Sequence, residues 1–177
     1  PVSANLANFY IGRDAPNARY FPGKIDDVRI YNKALSSTEI TALYSSNNYA
    51  TLAGAEGDSG LMLYMPFEEG AGTATYDLSV KGNHGTLSST GWTTGKPGNG
   101  KAVDLTGKYI VHKTTGFSST NGTVETWVKP VSGTDHYWGV WQTHDSSDVN
   151  FTDWIWVGRY SLNTFYFRMG DGGSCCS

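Results

Sequence analysis

The residues with the widest chemical scope are a run of aromatics towards the C-terminal end and carboxylates scattered through predicted turns. Trp138, Trp141, Trp154, Trp156 and Tyr160 lie on two neighbouring predicted strands. Sugar rings stack on exposed aromatic faces through their C–H surfaces, so these five are the candidate ligand-binding residues. Alternation sets Trp154, Trp156 and Tyr160 on one face of their strand and Asp153, Ile155, Val157 and Arg159 on the other. One of these faces must be core, and buried aromatics fill cores as readily as grooves. A protein interface is the third use. Asp135, His136, His144, Asp145 and Asp148 bracket the Trp138–Trp141 strand in loops, where a His/Asp metal site competes with plain solvation. Asp77, Asn83 and His84 form another polar cluster, in a turn whose Asx side chains are expected to satisfy backbone amides.

Acid–base or nucleophilic catalysis needs a positioned pair of groups, and the spacing for one is missing. Glu125 stands in Thr-Val-Glu-Thr-Trp with no second carboxylate two residues away. No Gly-x-Ser-x-Gly elbow, His-Glu-x-x-His pair or phosphate loop occurs. Cys175 and Cys176 are adjacent, so they offer neither a disulfide framework nor a spaced zinc site. The chain reads as non-enzymatic.

The elements that must position these residues follow from composition and period. With 177 residues the chain is one ordinary domain or two small ones. A formal charge of −3 leaves no electrostatic footprint for nucleic acid or an anionic membrane surface. No apolar run reaches the ~18 residues of a membrane span. No basic start precedes an apolar stretch, so a signal peptide is expected outside these residues. The 22 glycines with abundant Ser and Thr imply many turns and an all-β fold. Strand signals fall at Phe9–Gly12, Gly23–Tyr31, Leu61–Phe67, Ala102–Leu105, Tyr109–His112, Thr123–Lys129, Tyr137–Thr143, Asp153–Tyr160 and Thr164–Met169. In the second of these Val28 and Ile30 share a face, but Ile25 is out of phase. That predicts an irregularity at Asp26-Asp27, such as a bulge. One helix is signposted by the capping box Ser36-Ser-Thr-Glu39, the staple pair Leu35 and Ile40, and the stripe Ile40, Leu43, Tyr44. Residues 49–58 are the linker candidate.

The segment from Phe21-Pro-Gly-Lys-Ile-Asp-Asp-Val-Arg-Ile-Tyr31 through Ala34-Leu-Ser-Ser-Thr-Glu-Ile-Thr-Ala-Leu-Tyr44 resembles the C-terminal signature of the laminin-G-like jelly-roll family. These are bacterial surface modules of the concanavalin A-like lectin/glucanase superfamily. Leu61-Met-Leu-Tyr-Met-Pro-Phe-Glu-Glu-Gly-Ala-Gly72 resembles its opening strand. Asp77, Asn83-His-Gly-Thr-Leu87, Trp92, Gly95, Gly107 and Trp127-Val-Lys-Pro130 continue it in order. The tail therefore precedes the beginning. The chain is either two half-modules of different neighbours or, as we favour, a single permuted jelly roll over 1–177. In that reading 1–48 is the family's C-terminal segment, 49–58 a linker and 59–177 the N-terminal segment. Part of the family's middle stretch is not found, which would open a sheet edge and favour a homo-oligomer.

The resemblance implies a two-sheet antiparallel jelly-roll sandwich with one short helix, secreted or at the cell surface, that binds carbohydrate and inserts in no membrane. The alternative is a structural or protein–protein module of a surface array. Similar superfamily members hold calcium through a proline carbonyl, a glycine carbonyl and an aspartate. The matching positions are Pro66, Gly107 and Asp26, with Glu68 in support, and oxygen ligands from separate strands suit that ion. The retaining glucanases of the superfamily carry Glu-x-Asp-x-x-Glu, which is absent here.

Overall fold

The computed structural model describes the backbone of residues 8–14, 19–45, 60–96, 100–113, 122–131, 138–144, 153–161 and 164–171. Side chains are described for all of these but 8, 14, 45, 138, 142–144, 153–161 and 164–171. The strands are β1 (Asn8–Ile11), β2 (Arg13–Asp14), β3 (Arg19–Tyr20), β4 (Gly23–Tyr31), β5 (Leu61–Met65), β6 (Ala74–Thr75) and β7 (Gly85–Leu87). They continue with β8 (Trp92–Thr94), β9 (Lys101–Asp104), β10 (Ile110–Lys113), β11 (Thr123–Pro130), β12 (Trp138–His144), β13 (Asp153–Ser161) and β14 (Thr164–Asp171). The helix α1 spans Ser37–Ser45. The architecture is the expected all-β sandwich with one short helix.

A seven-stranded sheet runs β14-β13-β12-β1-β10-β7-β6, and a second runs β11-β4-β9-β8 with β5 also paired to β4. β1 lies between β10 and β12. β4 lies between β11 on one edge and β9 and β5 on the other. Each sheet thus has a strand from residues 8–31 hydrogen-bonded on both edges to strands from residues 61–144. The expected linker, residues 49–58, lies outside the described residues.

Alternation builds the core between the sheets. Phe9, Ile11, Leu87, Ile110, Val140 and Trp141 meet Ile25, Val28, Ile30, Leu63, Met65 and Val103, with Phe21, Phe67 and Leu105 closing the ends. The phase break foreseen in β4 is a bulge. Trp127 is paired with Asp26 but Glu125 with Arg29, so β4 holds one residue more than β11 there. Asp27 takes a left-handed φ of 52° at this point. The extra residue returns Ile25 to the face of Val28 and Ile30, and all three are at most 1% exposed.

The opposite face of β4 is also covered. Arg29 is 2% exposed, lies 4.2 Å over the Tyr64 ring and donates to Glu125 Oε2 at 2.9 Å. Asp27 sits 3.6 Å from the same guanidinium. Burial works against the arginine's charge, but Glu125, Tyr64 and Asp27 outweigh it and raise its pKa.

The capping box of α1 forms as read. Ser36 donates through both N–H and Oγ to Glu39 Oε2 at 2.7 Å, and the Glu39 amide reaches back to Ser36 Oγ at 3.3 Å. These bonds hold the Glu39 carboxyl down to about 2. The apolar stripe is less buried than its spacing suggests, because Leu43 alone seats on the sheet. Ile40 is 52% and Tyr44 74% exposed. Tyr44 instead stacks on Trp127 at 6.0 Å, and a groove of about 370 Å³ remains between α1 and β11.

Candidate functional site

The strand junction on one edge of β4 comes first. β9 takes Lys24 and Ile25 on that edge and β5 takes Val28 to Tyr31, so Asp26 and Asp27 fall in the gap between them. Asp26 is 4% exposed; its Oδ2 accepts from the Lys96 amide at 3.4 Å, while Oδ1 has no hydrogen-bond partner among the described residues. Burial, then the nearby Asp27 and Glu68 charges, push its pKa up to about 7 against the pull of the Lys96 amide. Glu68 follows β5 into the same corner, where its Oε2 accepts from the Lys101 amide at 3.0 Å. A Cβ on Gly100 would meet the Glu68 carboxylate, so a side chain there would displace that group.

Of the four positions matched to calcium, Asp26 and Glu68 therefore meet at this junction, and Pro66 lies on the β5 side of it. Gly107 lies beside the Gly23 end of β4. It sits exposed at φ 68° in a turn closed by Lys108 N–H to Leu105 C=O, hung from the Gly23 end of β4 by Leu105 N–H to Gly23 C=O. Two strand residues, Lys24 and Ile25, lie between Gly23 and Asp26. Among the described residues no group of three or more His, Cys, Asp or Glu converges on a point. Any cation at Asp26 and Glu68 would need backbone carbonyls as well.

The second candidate is the face of the seven-stranded sheet turned away from the core. Phe9 and Ile11 point inward, so Tyr10 points outward, and its register partners are Val111 and Gln142. Gln142 is paired with Trp156, and Trp156 with Arg168. One row of the outer face thus runs Val111, Tyr10, Gln142, Trp156, Arg168. At the end of this row Tyr10 meets Tyr109 at 5.8 Å and Tyr20 meets Tyr109 at 6.3 Å. The Arg13 guanidinium lies 4.8 Å from the Tyr109 centroid, 5.5 Å from Tyr10 and 5.9 Å from Tyr20.

This arrangement sorts the five candidate aromatics. Trp141 is a correction: it is 1% exposed, packed with Phe9 at 5.6 Å inside the core, and no sugar can reach it. Its register partner is Val157, so Val157 and Ile155 share the strand phase of Trp141, and Trp154 and Trp156 take the phase of Gln142. The partners on β14 agree, with apolar Phe167 and Met169 opposite Val157 and Ile155. Bulk is therefore no guide to which face of β13 is core. The side chains of Trp138, Trp154, Trp156 and Tyr160 lie outside the described residues. So do Asp135, His136, Asp145 and Asp148, and the side chain of His144.

Sequence reading missed Tyr10, Arg13, Tyr20 and Tyr109. The outward phase of Tyr10 was available from Phe9 and Ile11, but the meeting of three strands that gathers the cluster was not. Asp77 forms the turn expected of it: Oδ1 accepts from the Tyr64 and Ser79 amides, and Oδ2 from the Asn83 amide and Ser79 Oγ. His84 Nδ1 accepts from the Asp77 amide at 3.1 Å. These groups bind one another and fix the loop over β5. His112 is buried against Phe9 at 5.3 Å, and burial drives its pKa down to about 3, so it is a neutral packing residue.

Residues 1–41 match a laminin-G family model described as the Concanavalin A-like lectin/glucanases superfamily. No curated protein and no solved structure matches the chain. The family match supports the laminin-G-like resemblance over those residues, and the two antiparallel sheets are those of an all-β sandwich. Domains of this class are typically non-catalytic binding modules and usually extracellular. No helix among the described residues is long and apolar enough to cross a membrane.

Proposed function

We propose that the protein is a non-catalytic, secreted or cell-surface binding module that takes carbohydrate on the outer face of its seven-stranded sheet. The observation that carries this reading is the row through Tyr10 and Trp156 with the Tyr10–Tyr20–Tyr109 cluster at its end. Aromatic faces held at fixed strand positions offer stacking platforms at little entropic cost. In this reading residues 1–48 and 59–177 complete one permuted sandwich, supported by β1 and β4 each being paired on both edges to the later segment. Binding of a panel of immobilised glycans, compared with a Tyr10→Ala variant, tests it. Loss of binding in the variant is expected, and no binding to any glycan would overturn the reading.

A structural calcium fits the strand junction. The buried Asp26 Oδ1, with no hydrogen-bond partner among the described residues, and the nearby Glu68 are hard oxygen donors, and Pro66 follows Met65, the residue of β5 paired with Val28. The ion would neutralise Asp26 there and tie β4 to the segment after β5. A thermal melt of chelated protein, with and without millimolar calcium, should show a rise that vanishes in Asp26→Ala. An equal shift in both proteins would remove the site.

A second reading, a structural module joining copies of itself, is favoured by β11. Among the described residues β11 is paired only with β4. Its core-side Val124 and Val128 stay partly exposed, although their partners Ile30 and Ile25 are fully buried. The Val131 amide is bonded to Pro22 C=O, so the amides and carbonyls of alternate residues Val124, Thr126 and Val128 face the open edge. A second copy added antiparallel, two-fold about Trp127, would set Glu125 opposite the second copy's Lys129. Sedimentation of the protein at rising concentration tests this, a monomer throughout excluding it.

A further inference from the structure

Resting on the carbohydrate reading above, we propose that the ligand of the outer face is an acidic polysaccharide, specifically one bearing uronate carboxylates. The chain as a whole is acidic, with 16 Asp and Glu against 13 Lys and Arg. The outer face reverses that sign. Lys113, paired with Asn8, is exposed beside the row, Arg168 ends it, and Arg13 stands among the tyrosines. No Asp or Glu occupies an outward register position of β7, β10, β1, β12, β13 or β14 among the described residues. The acids of β13 and β14, Asp153 and Asp171, are paired with each other in the opposite phase.

Arg13 is the centre of the argument. Among the described residues it has no ion-pair partner, and its buried Nε has no hydrogen-bond partner. Asp14, next in the chain, is in register with Arg19 rather than with Arg13's partner Tyr20. An arginine held against three ring faces keeps its charge, is weakly hydrated, and can present its planar fork to a carboxylate. A uronic acid carries its carboxylate on the rim of the pyranose ring. A ring stacked on Tyr10 or Tyr109 would therefore offer that group sideways to the guanidinium. A lysine-rich patch would take any anion, whereas this geometry favours a planar one joined to a stackable ring.

The test is isothermal titration with oligogalacturonate, with neutral xylo-oligosaccharide of equal length and with a heparin oligosaccharide, on the wild type and on Arg13→Gln, Arg13→Lys and Arg168→Gln. Tighter binding of oligogalacturonate by at least about tenfold is expected, weakening as salt rises. Arg13→Gln should abolish that preference, Arg13→Lys should restore only part of it, and Arg168→Gln should weaken binding severalfold without change in melting temperature. Equal affinity for the neutral oligomer would sink the uronate inference while leaving the carbohydrate reading intact. Preference for heparin alone would replace carboxylate by sulfate and overturn it too. An Arg13→Gln protein that melts like wild type and still prefers oligogalacturonate would remove Arg13 from the site. Silence towards all three would overturn both this inference and the reading beneath it.

Discussion

Arg29 and Glu125 meet at 2.9 Å across the β4–β11 pairing, ninety-six positions apart in the chain, with the arginine side chain 3% exposed and the glutamate 24%. Deleting the carboxylate takes a 2.9 Å partner from a buried guanidinium that keeps Asp27 at 3.6 Å and the Tyr64 ring at 4.2 Å. Glu125→Ala should cost about 2–3 kcal/mol, below the usual range for a fully buried pair because Glu125 touches solvent. Glu125→Gln, which keeps an acceptor, should cost less. Urea unfolding of the three proteins checks the order, and an unchanged midpoint in Glu125→Ala would show the pair to be idle.

Two buried groups tilt stability with pH in opposite directions. Asp26 is raised to about 7, so between about 4 and 7 the folded state holds a proton that the unfolded state releases, and stability falls as pH rises. His112 is lowered to about 3, so between about 3 and 6.5 the unfolded state binds the extra proton, and stability rises with pH. In chelated wild type these slopes oppose one another over pH 4–6.5. Asp26→Asn should unmask a melting temperature that climbs across this window, and His112→Phe one that declines. Parallel curves for the two variants would contradict the assignment.

Gly12 turns the chain from β1 into the ribbon that carries Arg13, at φ 80°. A Cβ there would strike Leu105 Cδ1 in the core end. Gly12→Ala should destabilise by at least about 1–2 kcal/mol from backbone handedness alone. It should also weaken glycan binding by misplacing Arg13 and Tyr20. Binding that survives unchanged in a destabilised variant would separate the turn from the site.

If copies join through β11, one charge on its core-side edge should part them. Val128→Lys is expected to return a concentration-dependent species to monomer while leaving the far-UV circular dichroism of the sandwich unaltered. A dimer that persists in this variant would place the contact elsewhere.

Much of this architecture was legible in local pattern. The phase slip between Ile25 and Val28 located the bulge, because a strand with a buried face can change parity only by adding a residue. The Ser36–Glu39 spacing located the helix start. Two-residue strands such as Ala74–Thr75 carry no period and were invisible. The faces of β13 were legible only as two alternatives, since choosing between them required knowing that Val157 stands beside Trp141. Arg13 looked like a loop residue because its neighbours, Tyr10 excepted, come from other strands.

The place of β1 has a consequence for synthesis. Asn8–Ile11 is made before both of its sheet partners, Ile110–Lys113 and Trp138–His144. At ribosomal rates of about 5–20 residues per second, Phe9 and Ile11 must wait roughly 5–20 s for an edge to pair with. During that interval the newborn chain displays an apolar strand with no home, which is the condition chaperones recognise. The strand at the middle of the seven-stranded sheet thus leaves the ribosome about a hundred residues before either of its partners.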